Sequence, residues 1–444
     1  MKNVLRALIL LCIATTIAQA QSAALQYWRP YDQRGLNVFE TSKQDTTAYH
    51  GFHLQIGGAF AQDYQSLSDQ NTATRVLKSD STSYLLDPLT GGFNLAMANM
   101  YLDAQLDNGV RANVTVYLSS KHHNEAWVKN GYLQMDKVPF LGIDALNDIM
   151  KYVTIKVGDL EVDYGDQHFR RVDGGNEMYN PFVENYIMDE FATEIGGEVY
   201  YHDPSGFFAM LGATDGMLNP TVVASNKIDS VTKSPNAYNP AYHGKLGFDK
   251  QLTDDLRVRL TGSFYEENST SSSTLFGGDR TGSHYFLVME NQQATTTGNA
   301  FSGRFNPSFS EAVTTFMINP FVKIGGLEVF GTYENAAGRM INESSNRKAT
   351  QEAADVIYRF GSHENFWIGG RYNTVTATLP VSALVKSPLD VTVNRIAASA
   401  GWFLTPNVMM KAEYVQQTYQ NFPAGDIRQD GKFNGVVVEA ALGF

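Results

Sequence analysis

A chain of 444 residues with 34 basic against 46 acidic side chains carries a net charge of −12, and that negative balance argues against nucleic acid or an anionic membrane surface as a partner. Its single cysteine, Cys12, excludes a disulfide framework. Beyond the first twenty residues no apolar run reaches the roughly 18 residues of a transmembrane helix. With 38 glycines, 12% aromatic and 43% hydrophobic residues, the chain is either a large soluble β protein or a β-barrel whose apolar surface faces lipid.

Residues 1–20 read as a secretory leader. Lys2 and Arg6 form the basic start, Ala7 to Ile17 the apolar core, and Ala18-Gln19-Ala20 the small-x-small cleavage site. Leu11 precedes Cys12 where a lipoprotein signal needs a small residue, so lipidation is not expected. Cleavage removes Lys2 and Arg6, taking the charge from −12 to −14, and leaves no cysteine. Residues 21–49 carry Tyr27, Trp28, Arg29, Pro30, Tyr31 and Asp32 without alternation, an irregular N-terminal arm held in the periplasm or at the barrel mouth and lumen.

Strands follow from residue 50 onward. The first spans 51–61, with Phe52, Leu54 and Ile56 on one face. The strongest hairpin comes next: Ala96, Ala98, Met100, Leu102, Ala104 and Leu106 alternate with polar residues, and Asp107-Asn108-Gly109 turns the chain into Val110, Ala112, Val114, Val116 and Leu118. Further strands are predicted at 126–135, 151–159, 191–201, 206–214, 241–251, 255–266, 312–323, 327–335, 351–360, 365–375, 390–404 and 408–418. Tyr285 to Met289 look strand-like but are assigned to a loop, because a wall strand there breaks the alternation of short and long connections.

The last stretch, 433–444, places Val436, Val438, Ala440, Leu442 and Phe444 on one face and Glu439 on the other. One apolar face opposite a face that tolerates charge suits lipid outside and a polar lumen inside. The stretch also resembles the closing strand of bacterial outer-membrane barrels, whose terminal aromatic and alternating apolar residues (here Phe444, Leu442, Ala440 and Val438) are the signal read by the barrel assembly machinery. Seven connections are short or compact and eight others are mostly long and polar, in strict alternation. This is the count for sixteen strands with both termini on one side. The expected fold is therefore all-β: a transmembrane antiparallel up-and-down β-barrel of about sixteen strands with short periplasmic turns and long extracellular loops, over residues 50–444. Sixteen strands enclose a lumen wide enough for water, which points to a pore for small hydrophilic solutes.

The face opposite the lipid names the lumen. It collects Arg111, Lys156, Lys245, Arg257, Arg259, Arg359, Arg371, Arg395 and Lys411 together with acidic residues that include Glu328, Glu334 and Glu439. Two arrangements are open: opposite charges paired across neighbouring strands, or basic and acidic walls facing each other. The loop at 160–190 is dense in charge, with Asp166, His168, Arg170 and Arg171. In general porins the third loop folds inward and narrows the barrel, and by that resemblance these four residues are the constriction candidates, with Arg170 and Arg171 favouring anions.

Lys156-Val157-Gly158-Asp159-Leu160-Glu161-Val162-Asp163-Tyr164-Gly165 resembles the strand-to-loop segment of the phosphate-selective porin O and P family. Asn180-Pro181-Phe182 and Ile318-Asn319-Pro320-Phe321 are similar to segments of porin-like proteins of the Bacteroidetes. Asp159, Glu161 and Asp163 depart from a stretch usually more basic. The resemblance implies a homotrimer in outer-membrane lipid, passing small hydrophilic solutes or anions such as phosphate. The rival is a non-conducting barrel that binds a partner or anchors surface machinery. No catalytic constellation, cofactor loop or metal spacing stands out. The nine histidines are scattered apart from His122-His123, which has no carboxylate spacing in support.

Overall fold

The computed structural model describes residues 24–444 apart from 74–84, 120–125, 174–175, 219–221, 223–227, 229–232, 234–237, 271 and 280. The leader read at 1–20, and the His122-His123 pair, lie outside the described residues.

The period-two alternation of the sequence builds a closed wall of sixteen long antiparallel strands. They are β1 His53–Gln70, β2 Met97–Asp107, β3 Val110–Ser119, β4 Ala126–Met135, β5 Val153–Glu161, β6 Thr193–His202, β7 Phe207–Thr214, β8 Ala241–Gln251, β9 Leu256–Glu267, β10 Ala312–Ile324, β11 Leu327–Arg339, β12 Arg347–Phe360, β13 Phe366–Leu379, β14 Leu389–Thr405, β15 Val408–Gln420 and β16 Lys432–Gly443. A two-residue piece, Gly92–Phe93, adds a short bridge to Tyr64 and Gln65. Each strand pairs with its neighbours in sequence, and β16 pairs with β1 from Ala59↔Gly443 to Gln70↔Lys432. At the seam the Phe444 amide donates to the Gly58 carbonyl (2.9 Å) and the Gly58 amide donates to the Phe444 carbonyl (3.0 Å). Closure leaves the backbone no open edge in lipid.

Several strands run further than the sequence suggests. β1 extends to Gln70 rather than 61, and β12 begins at Arg347 rather than 351. Their long-loop ends point polar residues such as Lys348 and Glu352 outward, which hides the apolar alternation by which strands were recognised.

The outer face is apolar and bounded by rings. At the short-turn end Tyr358, Phe360, Phe366 and Trp402 form a chain with centroids 6.2, 5.7 and 5.6 Å apart, and Phe207 meets Phe248 at 5.0 Å. Such aromatic girdles mark membrane–water boundaries. Val436, Val438 and Leu442 face outward with Phe444, while Glu439 is fully buried on the inner face.

The interior is filled from both ends. At the long-loop end, the 162–192 and 268–311 segments fold into the barrel. Their Val183, Ile187, Met188, Tyr285, Val288 and Phe305 pack against wall residues Val391, Val393, Val415 and Val437 in one apolar cluster. At the short-turn end the arm runs along the inner wall: Tyr31 stacks on Tyr101 at 3.7 Å and its hydroxyl donates to Asp103 (2.6 Å), while Asn37 donates to Glu328 (2.6 Å).

Candidate functional site

The inward parity of the strands places every predicted lumen residue on the inner face. Arg257 and Lys156 are partly exposed and the others are buried. Most of their charges are paired with a neighbour and not sorted onto two walls, while Lys156, Arg395 and Glu334 take neutral partners. Arg111 meets Asp103 (2.9 Å), Arg257 meets Asp249 (2.7 Å), Arg359 meets Glu328 (2.9 Å), Arg371 meets Asp355 (2.7 Å) and Lys411 meets Glu439 (2.9 Å). Lys156 Nζ lies 4.6 Å from the Tyr200 ring centroid and donates to its hydroxyl (3.2 Å). Glu334 accepts from Tyr164 (2.9 Å) and Thr315 (3.0 Å). Of the two arrangements open from the sequence, neighbour pairing is the one that forms.

The inner-wall side chains have a second task that the sequence did not reveal. An irregular loop brought inside a barrel must find partners for its backbone, and the wall supplies them. Arg371 donates to the Glu184 carbonyl (2.8 Å), Arg395 to the Asn185 (2.7 Å) and Gly303 (2.9 Å) carbonyls, and Lys411 to those of Glu177, Asn180 and Phe182 (3.0, 3.0 and 2.8 Å). Asn373 accepts from the Ile187 amide (2.6 Å), and Gln351 accepts from the Met188 amide (2.9 Å) while donating to its carbonyl (2.7 Å). These basic residues act as loop anchors as well as lumen charges.

The four constriction candidates sit together inside the barrel but in different settings. Asp166 is gripped by Arg259 through two bonds of 2.7 Å and by Thr261 (2.8 Å). His168 pairs with Asp163 (2.8 Å) and lies 3.6 Å from Glu161. Burial works against its charged form, but these two carboxylates outweigh that and raise its pKa above the ordinary histidine value. Arg171 forks onto Asp189 with two bonds of 2.8 Å and also binds Asp279 of the other inward loop. Burial disfavours the Asp279 anion, yet Arg171 and Arg304 hold its carboxyl below the usual range. Arg171 is therefore a neutralised strut between loops. Arg170 differs: its guanidinium lies over the Phe330 ring at 4.8 Å, Nη1 reaches Asn37 at 3.4 Å, and Nε and Nη2 have no hydrogen-bond partner among the described residues.

Recesses open elsewhere in the interior and at its ends. One of about 720 Å³ at the short-turn end is lined by Arg34, Arg257, Lys323, Glu328, Arg359 and Glu364, and one of about 520 Å³ by Lys43, Asp249, Arg257 and Arg259. A smaller one of about 190 Å³ lies between Arg29, Arg111, Lys129, Lys156, Asp163 and His168. At the long-loop end about 410 Å³ opens between Arg304, Tyr419, Asp426 and Arg428.

The second inward loop was not expected as a lumen filler, whereas the arm takes the lumen side of the alternatives open to it from the sequence. Their signal was present: an apolar run such as Tyr285 to Met289 in a loop needs cover, and so do Tyr27, Trp28 and Tyr31. Tyr285 to Met289 do lie in the loop and form no wall strand, with Tyr285 and Val288 fully buried.

No family model matches the sequence, and no curated protein is similar to it. Solved structures are similar in fold. An anion-selective porin from Comamonas acidovorans superposes with a TM-score of 0.52 at 9% identity, covering 88% of this chain and 100% of that one. The chain has the fold of an outer-membrane β-barrel. The high-pH structure of Pseudomonas putida OprB gives 0.52 at 10% identity over 89% and 94% of the two chains. The outer membrane channel DcaP of Acinetobacter baumannii gives 0.51 at 12% over 89% and 99%. At such identities the likeness concerns the barrel alone and says nothing of any side chain.

Proposed function

We propose that this barrel is a porin of the bacterial outer membrane, a non-enzymatic channel for passive diffusion of small hydrophilic solutes with a preference for anions such as phosphate. One observation supports the reading: inside the charged ring of sixteen strands the inward loop holds the buried Arg170 guanidinium with two nitrogens that have no hydrogen-bond partner among the described residues. Desolvated donors at a constriction stabilise a passing anion more than donors in bulk water do. Basic side chains in the recesses support the same direction of selectivity. The packed loops support a narrow path, with conductance well below that of an open sixteen-stranded pore. Export by the leader, insertion through the Phe444 signal and assembly as a homotrimer complete the proposal.

Planar-bilayer recording of the purified protein tests it. Stepwise channels with an anion-directed reversal potential under a salt gradient are expected, and Arg170→Ala moves that potential toward zero. A persistently silent bilayer overturns the channel and favours the partner-binding barrel. Channels whose selectivity ignores Arg170→Ala overturn the constriction assignment.

A further inference from the structure

Asp63 on β1 and Glu439 on β16 stand directly opposite each other in the pairing that closes the barrel, and both are buried on the inner face. Like charges in that relation repel. His284, from the 268–311 segment, enters between them: Nδ1 lies 2.6 Å from Asp63 Oδ2 and 3.4 Å from Glu439 Oε2. Its Nε2 faces a third carboxylate, Glu177 of the other inward loop, at 3.7 Å. Among the described residues the lysine or arginine paired with the group is Lys411, with Nζ 2.9 Å from Glu439 Oε1. Asp63 Oδ1, His284 Nε2, both oxygens of Glu177 and Glu439 Oε2 are buried without a hydrogen-bond partner among the described residues, and Glu439 Oε1 has only the Lys411 ion pair. So many orphaned acceptors in one place are costly unless something fills the gap.

We propose that Asp63, His284 and Glu439 hold one divalent cation of the Zn²⁺ or Mn²⁺ class at the barrel seam, with Glu177 orienting the imidazole from behind. The three donor atoms lie within 4.8 Å of one another; donors at about 2.1 Å from one ion sit at most about 4.2 Å apart, so the two carboxylates need only a small inward rotation to close on it. One imidazole nitrogen with carboxylate oxygens suits these borderline ions better than Cu⁺, which prefers sulfur, or Mg²⁺, which prefers oxygen alone. Binding at Nδ1 displaces the proton from that nitrogen and leaves the other on Nε2, aimed at Glu177. A carboxylate behind a ligating histidine is the usual means of fixing its tautomer and ring plane. The charges also balance: three carboxylates against Lys411 leave two negative charges, which a divalent cation beside a neutral imidazole cancels and an imidazolium does not. The ion joins the first strand, the last strand and a loop, and through Glu177 a second loop. The site does not depend on whether the barrel conducts.

The test uses the full chain folded in detergent, stripped with chelator and titrated separately with ZnCl₂ and MnCl₂. Expected are one retained equivalent after desalting and a higher thermal transition with metal. Asp63→Asn and His284→Gln, each verified as folded by heat-modifiable mobility, lose the retained equivalent. Glu177→Gln keeps it with affinity about 10–100-fold weaker. Retention of neither ion by the wild type overturns the site, as does undiminished retention in folded His284→Gln. If the ligand variants fail to fold, unchanged affinity in Glu177→Gln overturns it.

Discussion

Arg170 and Arg171 are adjacent in sequence, yet only one is spoken for. Arg171 is locked between Asp189 and Asp279, so Arg171→Ala leaves buried carboxylates uncompensated and costs about 3–5 kcal/mol. A thermal melt of the folded barrel reads this as a clear drop, and Arg171→Lys recovers only part, because a lysine cannot fork onto a carboxylate. Arg170 forms no ion pair among the described residues, so Arg170→Ala should move selectivity with a smaller change in the melt than Arg171→Ala. His168 adds a pH dependence. Its pKa is raised in the folded state, so its contribution is fully present below the unfolded value of about 6.5 and is lost as pH rises through the higher folded value. The groups facing it are Asp163, Glu161 and Lys245. His168→Gln should therefore lower the melting temperature at pH 6 and have a smaller effect in strongly alkaline buffer. An equal drop at both pH values would show that the ring does not act as a cation.

At the scale of elements, strands were legible and loop placement was only half so. A wall strand reports itself locally, since Val436, Val438 and Leu442 must face lipid whatever their partners are. The parity of short and long connections then fixes the order of strands without any contact being known. Inward loops report themselves poorly: the density of charge in 160–190 was visible, but its pairing with Asp279, about a hundred residues on, depends on where a second loop lies. Asp63, His284 and Glu439 were invisible for the same reason, because strand register and loop insertion bring them together and spacing does not. Arg395 shows how the two loops are coupled. It donates to Asn185 in one, to Gly303 in the other and to Gln417 on the wall (2.7 Å). Arg395→Met strands the Asn185 carbonyl and Gln417 Oε1 at about 1–3 kcal/mol each, leaves Gly303 only the Gln417 amide (2.8 Å), and keeps much of the side-chain volume. Limited proteolysis should then cut within 176–191 and 283–304 at sites protected in the wild type. Protection of both segments in the variant would mean that the apolar cluster alone holds them.

For the whole molecule, the decisive question is what covers the outer face. Ala398 on β14 lies in a row with Gly370 of β13 and Tyr414 of β15, all outward, between Thr392 and the aromatic rim set by Trp402. Thr392 on the same strand sits toward the long-loop end, beside Thr376 and Gln420. In a bilayer the cost of an outward arginine depends on depth, about 2–4 kcal/mol at the midplane and about 0–1 near the interface. Ala398→Arg should thus destabilise the barrel by the larger amount and Thr392→Arg by the smaller, measured by reversible urea unfolding from lipid vesicles. Were the outer face in water, both would be ordinary surface substitutions, each within about 0.5 kcal/mol of the wild type. The contrast between the two sites, rather than either value alone, separates lipid from water, because composition and position on the strand are otherwise so similar. Equal small effects at both positions would remove the membrane from the argument and, with it, the reason for sorting charge to the inside.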